Sequence, residues 1–270
     1  MKIIVSHDVD HLNVSEHFND LIIPKFIVRS NIELLTGKIS INEFTNRFKE
    51  LFSNKWNKIE DLINFNLTHK IPATFFIGVN NGLGLNYPIT KAEVAIKLIQ
   101  SKGFDVGVHG IAFDNFTDIQ KEFESFAKII GNINFGVRMH YLRNIENTTD
   151  YLSQAGYLFD ATLPEMKSVY TVNNLTVFPV HIMDGWIMNN NKAWQINNID
   201  KALDLSKKQI DEGMKNRIDY FSILFHDHYF SDSFKTWKNW YIKLMEYLIL
   251  NKFQFIDYKA AIEERKNKHD

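Results

Sequence analysis

Five short segments carry the side chains able to do chemistry in this chain. The first is His7-Asp8-Val9-Asp10-His11. On an extended backbone Asp8 and Asp10 project to one side, with His7 and His11 opposite or beyond the strand end. Two carboxylates held this close repel unless a cation or a shared proton compensates. A divalent metal meets that need and leaves one carboxylate free as a base; the plain alternative is an exposed, Asp-rich turn. The second segment, residues 107–114, holds His109 at the end of an apolar run, before Gly110. Alone, His109 is as readily a hydrogen-bonded structural histidine; beside an acidic pair at another strand end, metal ligation is the better reading.

In the third segment, residues 136–143, Arg138 and His140 share one strand face. An arginine directed into a site orients a carboxylate or grips an anion with two donors, and a surface ion pair is its ordinary alternative. The fourth, residues 180–186, ends on Asp184 and Trp186, a partner for Arg138 and a wall for a sugar-sized pocket. The fifth, residues 224–229, holds His226 and His228. His226 closes an apolar strand and has the side chain best suited to general acid work near neutral pH, unless both histidines are simply solvated.

Apolar runs at 3–6, 73–78, 105–109, 135–140, 158–162, 177–183, 222–226 and 253–257 read as strands. Helical periodicity lies between them, at 44–68, 90–102, 116–130, 147–155, 199–213 and 235–250, with Gly103 and Gly131 following two of these as C′ glycines. Strands apolar throughout, alternating with helices, predict a parallel α/β fold. Pattern alone does not separate an open sheet from a closed barrel. Chemically capable residues appear at the C-terminal ends of at least five strands, where barrels place their sites, and no Gly-rich nucleotide fingerprint follows the first strand.

Residues 12–70 form a long insertion after the first strand. Phe44, Phe48, Leu51, Phe52, Ile59, Leu62 and Ile63 recur at helical spacing, predicting one long helix in its second half. The first half, around residues 22–27, reads as a lid, an oligomer contact or, most plainly, extra packing. The Asn run at 189–191 reads as a loop.

The chain has 270 residues, 45% hydrophobic, with 22 Phe, 10 Tyr and 5 Trp, which supports a substantial aromatic core in one domain. A net charge of −1 gives no general attraction to nucleic acid, and the Lys-rich end around Lys266 and Lys268 reads as a solvated tail. With no cysteine, a metal must be held by His and carboxylate. The chain opens directly into a strand, without a signal-peptide pattern, and no window reaches the roughly 18 apolar residues of a membrane span. A cytoplasmic protein without an integral membrane segment is the expectation; its oligomeric state stays open.

In order and spacing, the five segments resemble the five motifs of the polysaccharide deacetylases (carbohydrate esterase family 4, or NodB homology), from Lys2 to about Asp257. The segments 138–143 and 155–162 look like a divergent branch. The resemblance implies a distorted (β/α)₇ barrel and a zinc-type divalent cation whose bound water attacks an N-acetyl carbonyl. It makes Asp8 the base, Arg138 its orienting partner, Tyr141 N–H an oxyanion donor and His226 the acid that protonates the leaving amine. Asp184 would support the arginine and Trp186 would stand near the aromatic wall; His228, from the fifth segment itself, is a candidate substrate contact. Two positions depart from the family. Val9 stands where the family has its metal aspartate, so Asp10 would have to serve, and Phe113 stands where it has a metal histidine. Asp10 and His109 alone make a thin site for zinc. His140 is the natural third ligand, ahead of Asp114 and His11. The implied function is removal of an acetyl group from a sugar amide, on a precursor of surface polysaccharide. The alternatives are a hydrolase of non-sugar C–N bonds and an inactive carbohydrate-binding relative.

Overall fold

The computed structural model describes residues 1–189 and 198–267. Residues 190 and 191 of the Asn run and Lys268 of the tail lie outside the described residues. The elements follow in chain order: β1 (Lys2–Val9), α1 (Ile22–Leu35), α2 (Ile41–Ser53), α3 (Ile59–His69), β2 (Ala73–Ile77), α4 (Ile89–Ser101), β3 (Asp105–Gly110), α5 (Phe116–Ile130), β4 (Val137–Met139), α6 (Thr148–Ala155), β5 (Phe159–Asp160), β6 (Tyr170–Val172), β7 (Leu175–Val177), β8 (Val180–Met183), α7 (Asp184–Asn189), α8 (Ile199–Lys215), β9 (Tyr220–Leu224), α9 (Lys235–Leu250), β10 (Gln254–Phe255) and α10 (Tyr258–Lys266).

The strands form one sheet in the order β6-β7-β5-β4-β3-β2-β1-β9-β8, with β10 added to β1. Every pairing is parallel except the β6–β7 hairpin. β1 is central and buried along its length, which is why Ile3, Ile4 and Val5 can be apolar on both faces. The apolar run predicted as one strand at 177–183 is the closing segment. Its first part belongs to β7 and pairs with β5, and its second part, β8, pairs with β9. Phe178 N–H donating to Asp160 O and Val180 N–H to Leu163 O carry the chain across the seam. The result is the expected distorted barrel, with helices outside. β3 and β4 approach closely because Gly107 has no side chain: a Cβ there would meet Gly136 O at 2.9 Å.

The insertion departs from expectation. The single helix predicted over 44–68 is two, α2 and α3, broken where Asn54 adopts a left-handed conformation (φ 53°). Apolar periodicity continues across the break because both helices bury one face. Nor is the first half mere packing: α1 contributes Ile22, Lys25, Phe26 and Arg29 to the wall of the main cavity. Buried Arg47 of α2 ties this layer to the barrel, bonding Glu33 (2.7 Å) and the Ser233 carbonyl (2.9 Å). Among the described residues no helix is long and apolar enough to cross a membrane.

Candidate active site

Asp8, Asp10, His109, His140, Asp184 and His226 all lie at or just past the C-terminal ends of β1, β3, β4, β8 and β9. All but His109 line a cavity of about 520 Å³ at that end of the barrel. Tyr87 fixes the end of β1: its hydroxyl donates to Val9 O (2.8 Å) and accepts from Gly78 N–H (2.7 Å). The β1 alternation then turns Asp8 and Asp10 toward the cavity. His7 goes to the opposite face, donating from Nδ1 to Phe225 O (3.1 Å) and accepting at Nε2 from Asn66 (3.1 Å). Burial pulls His7 down to about 4, so it is neutral and structural.

The three predicted metal ligands converge. His109 Nε2 lies 3.1 Å from Asp10 Oδ1, His140 Nδ1 lies 3.3 Å from the same oxygen, and the two nitrogens are 3.0 Å apart. The far nitrogen of each ring faces a backbone carbonyl: His109 Nδ1 faces Arg138 O (3.1 Å) and His140 Nε2 faces Leu83 O (3.2 Å). A carbonyl only accepts, so the far nitrogens are the ones placed to donate, and a ring whose single hydrogen sits there turns a lone pair inward. Two lone pairs and a carboxylate oxygen at one point require a proton or a cation between them. Tetrahedral donors at zinc bond lengths sit about 3.3 Å apart, close to the separations found. The second-sphere carbonyls are the usual way of orienting imidazole ligands. The residues present therefore fit a divalent cation. Without a cation, hydrogens on those inner nitrogens would be donated to Asp10 instead, and against the upward pull of burial these bonds and the charge of His226 hold its carboxyl well below the ordinary range.

The remaining candidates separate. Phe113, at the family's histidine position, packs under Arg143, whose guanidinium carbon sits 4.6 Å from the ring centroid. Asp114 is exposed and outside the cavity, so it is not brought to the site. Arg143 in turn donates to His140 O (3.2 Å) and Ile111 O (2.8 Å), fixing the turn that presents His140. Tyr141 follows in a left-handed conformation (φ 57°) at the cavity wall, its ring against that of His140. Such a backbone at a non-glycine residue is uncommon and collects at functional sites.

Asp8 and Arg138 are joined at 2.9 Å, both buried. Arg138 also donates to Ala161 O and to the Tyr258 hydroxyl, each at 2.8 Å, and lies over the Phe76 ring. The expected pairing of Asp184 with Arg138 is not found. Strand order explains it: β4 and β8 flank β1 on opposite sides, three and two strands away. Asp184 instead binds His226 beside it, accepting from its backbone N–H (2.6 Å) and from Nδ1 (3.0 Å). Burial pulls His226 down, but Asp184, then Asp10 and Asp8, outweigh it and raise it to about 10. His226 therefore keeps both ring protons at neutral pH, with Nε2 facing Asp10 Oδ2 at 3.8 Å.

Trp186 and His228 both line the cavity. Tyr258 and Tyr87 were not anticipated. Both lie outside the five segments, and a lone aromatic at a helix start or in a loop gives no sequence signal of a buried hydroxyl contact.

No protein-family model matches the sequence, and no curated protein matches it. Solved structures do match by shape. A Mycobacterium smegmatis protein described as a polysaccharide deacetylase superposes with a TM-score of 0.63 at 14% identity, over 99% of this chain and 91% of the other. The chain has the polysaccharide deacetylase fold. A Pseudomonas aeruginosa PAO1 protein, also described as a polysaccharide deacetylase, gives 0.60 at 10% identity, over 96% and 87%. Puue allantoinase gives 0.60 at 11% identity, over 95% and 86%. The deacetylase fold thus extends over nearly the whole of this chain, insertion included.

Proposed function

We propose that this protein is a divalent-cation-dependent hydrolase that removes an acetyl group from the amide nitrogen of a sugar. The observation that carries this reading is the convergence of Asp10 Oδ1, His109 Nε2 and His140 Nδ1 on one point beside a carboxylate and a protonated histidine. Bound there, a cation such as zinc supplies Lewis acidity toward the acyl oxygen and lowers the pKa of water.

The protein's own groups account for the proton movements. Arg138 occupies Asp8 Oδ1, leaving the other carboxylate oxygen to take a proton from the attacking water. Hydroxide adds to the acyl carbon, and the oxygen that becomes negative lies against the Tyr141 turn, whose N–H is its donor. When the C–N bond breaks, the Nε2 proton of His226 goes to nitrogen, and Asp184 stabilises the ring throughout. Acetate and a free amine result.

The covering layer bears on substrate. Ile22, Phe26 and Trp56 close the cavity from the insertion side, with Trp186 across from the barrel. A cavity of about 520 Å³ suits one or two sugar units. A soluble surface-polysaccharide precursor in the cytoplasm is the substrate class we assign, and His228 a contact for it. Metal content and acetate release, measured together on the purified protein with N-acetylated sugar precursors, test this. Stoichiometric metal and acetate production, both lost in His109→Ala, support it; bound metal with no acetate from any such sugar rejects the substrate assignment.

A further inference from the structure

Beyond the first ligand set, a second group of metal-capable donors shares one of its members. Ligand atoms of Asp10, His11 and His228 lie within 4.8 Å of one another, as do those of Asp10, His109 and His140. We infer that Asp10, His11 and His228 form a second divalent-cation site, with the Asp10 carboxylate bridging two ions.

Three observations support the bridge. First, the carboxylate has a second oxygen outside the first set: Oδ1 lies nearest His109 and His140, Oδ2 lies 3.8 Å from His226 Nε2, and a carboxylate oxygen is within 4.8 Å of ligand nitrogens of His11 and His228. Paired ions about 3.5–4 Å apart, bridged by shared ligands, are a recurring hydrolase arrangement. Second, His11 and His228 each have a buried Nδ1 without a hydrogen-bond partner among the described residues. A buried ring nitrogen left unpaired is costly, so two adjacent instances ask for an occupant. Third, the surroundings hold these rings in place. His11 packs 5.1 Å from Trp56 and 5.3 Å from His228, centroid to centroid, and edge-on to His17 at 4.6 Å. His17 is itself fixed by Asp20 through Nδ1 at 2.8 Å. Asp8 and Arg138 are committed to each other, which leaves the charge of Asp10 to be met by other groups.

The placement links two parts of the fold. His11 follows β1, His228 follows β9, and Trp56 joins α2 to α3, its backbone N–H donating to Leu12 O at 3.2 Å. An ion here would lie between the barrel and its covering layer. It would also stand on the cavity side, where a substrate oxygen could complete its coordination, since both histidines line the cavity.

The test is metal stoichiometry on the full chain, stripped by chelator and re-equilibrated with zinc and, separately, manganese. Wild type is expected to bind two equivalents. His228→Gln and His11→Asn, on two separate loops, are each expected to bind one, with folding checked by circular dichroism. His140→Ala is expected to lose the other equivalent. One equivalent in wild type that survives both His228→Gln and His11→Asn but disappears in His140→Ala overturns the second site while leaving the first intact. Two equivalents retained in the folded His228→Gln and His11→Asn proteins also overturn it. No bound metal in wild type overturns both sites.

Discussion

Arg138 donates to Asp8 Oδ1 at 2.9 Å while its other donors are taken by the Ala161 carbonyl and the Tyr258 hydroxyl. The guanidinium is thus held from two directions before it meets the carboxylate. Only a planar fork can make all three contacts, so lysine is not a substitute. Arg138→Met strands a buried carboxylate, and a destabilisation of about 3–5 kcal/mol is expected in denaturant unfolding. Asp8→Asn keeps the shape and removes the base. It should retain metal while kcat falls on the order of 10²–10⁴-fold. Unchanged kcat in Asp8→Asn would remove Asp8 from the reaction.

Tyr258 acts through Arg138 and is a positioning residue. Tyr258→Phe deletes one hydrogen bond to a charged group, worth about 1.5–3 kcal/mol. The expected outcome is a drop in kcat of about 10-fold with KM and metal content little changed. A fall in stability with kcat untouched would make Tyr258 purely structural.

His226 and Asp184 predict a dependence on the leaving group. Amine expulsion needs a proton, whereas an activated aryl acetate leaves without one. His226→Ala should therefore lower amide hydrolysis on the order of 10²–10⁴-fold and aryl ester hydrolysis far less. Equal losses on both substrates would deny His226 the role of acid.

Stability should also respond to acid through His181, which lies away from the site. Its Nδ1 accepts from Ser222 N–H (2.9 Å) and its Nε2–H donates to Lys167 O (3.0 Å), so the fold holds the neutral ring. Burial lowers it from 6.5 to about 4. Between those values the unfolded chain binds the extra proton and the folded chain does not. The contribution is complete above pH 6.5 and is lost as pH falls toward 4. Glu43 and Glu122, raised by burial to about 7, act in the opposite sense, so slopes must be compared between proteins. His181→Gln should reduce the loss of stability between pH 6.5 and 4.5, in urea titrations, by about 2–3 kcal/mol. An identical slope would mean that His181 titrates normally.

Much of the candidate site was legible because each candidate residue abuts an apolar strand. Asp8, Asp10, His109, His140 and His226 read correctly as strand-end groups, since period-2 alternation and burial locate them without any tertiary information. Partnership was less legible. Asp184 looks like a mate for Arg138 until strand order puts it beside His226. The insertion hid its break at Asn54, because a left-handed cap leaves the apolar spacing on either side intact. The short hairpin of β6 and β7, the one-turn α7 and the terminal α10 gave too few periodic positions to read. Tyr87 and Tyr258 act through single hydroxyls, and no pattern in the chain marks them.

The central claim is that Asp10, His109 and His140 hold a cation that this protein needs in order to release acetate from an N-acetylated sugar. Acetate release, followed before chelation, after chelation and after return of zinc, tests it most directly in wild type and His140→Ala. The account predicts activity that chelator abolishes and zinc restores in wild type, and that zinc does not restore in His140→Ala. Acetate release indifferent to chelator, or fully restored by zinc in His140→Ala, would contradict it.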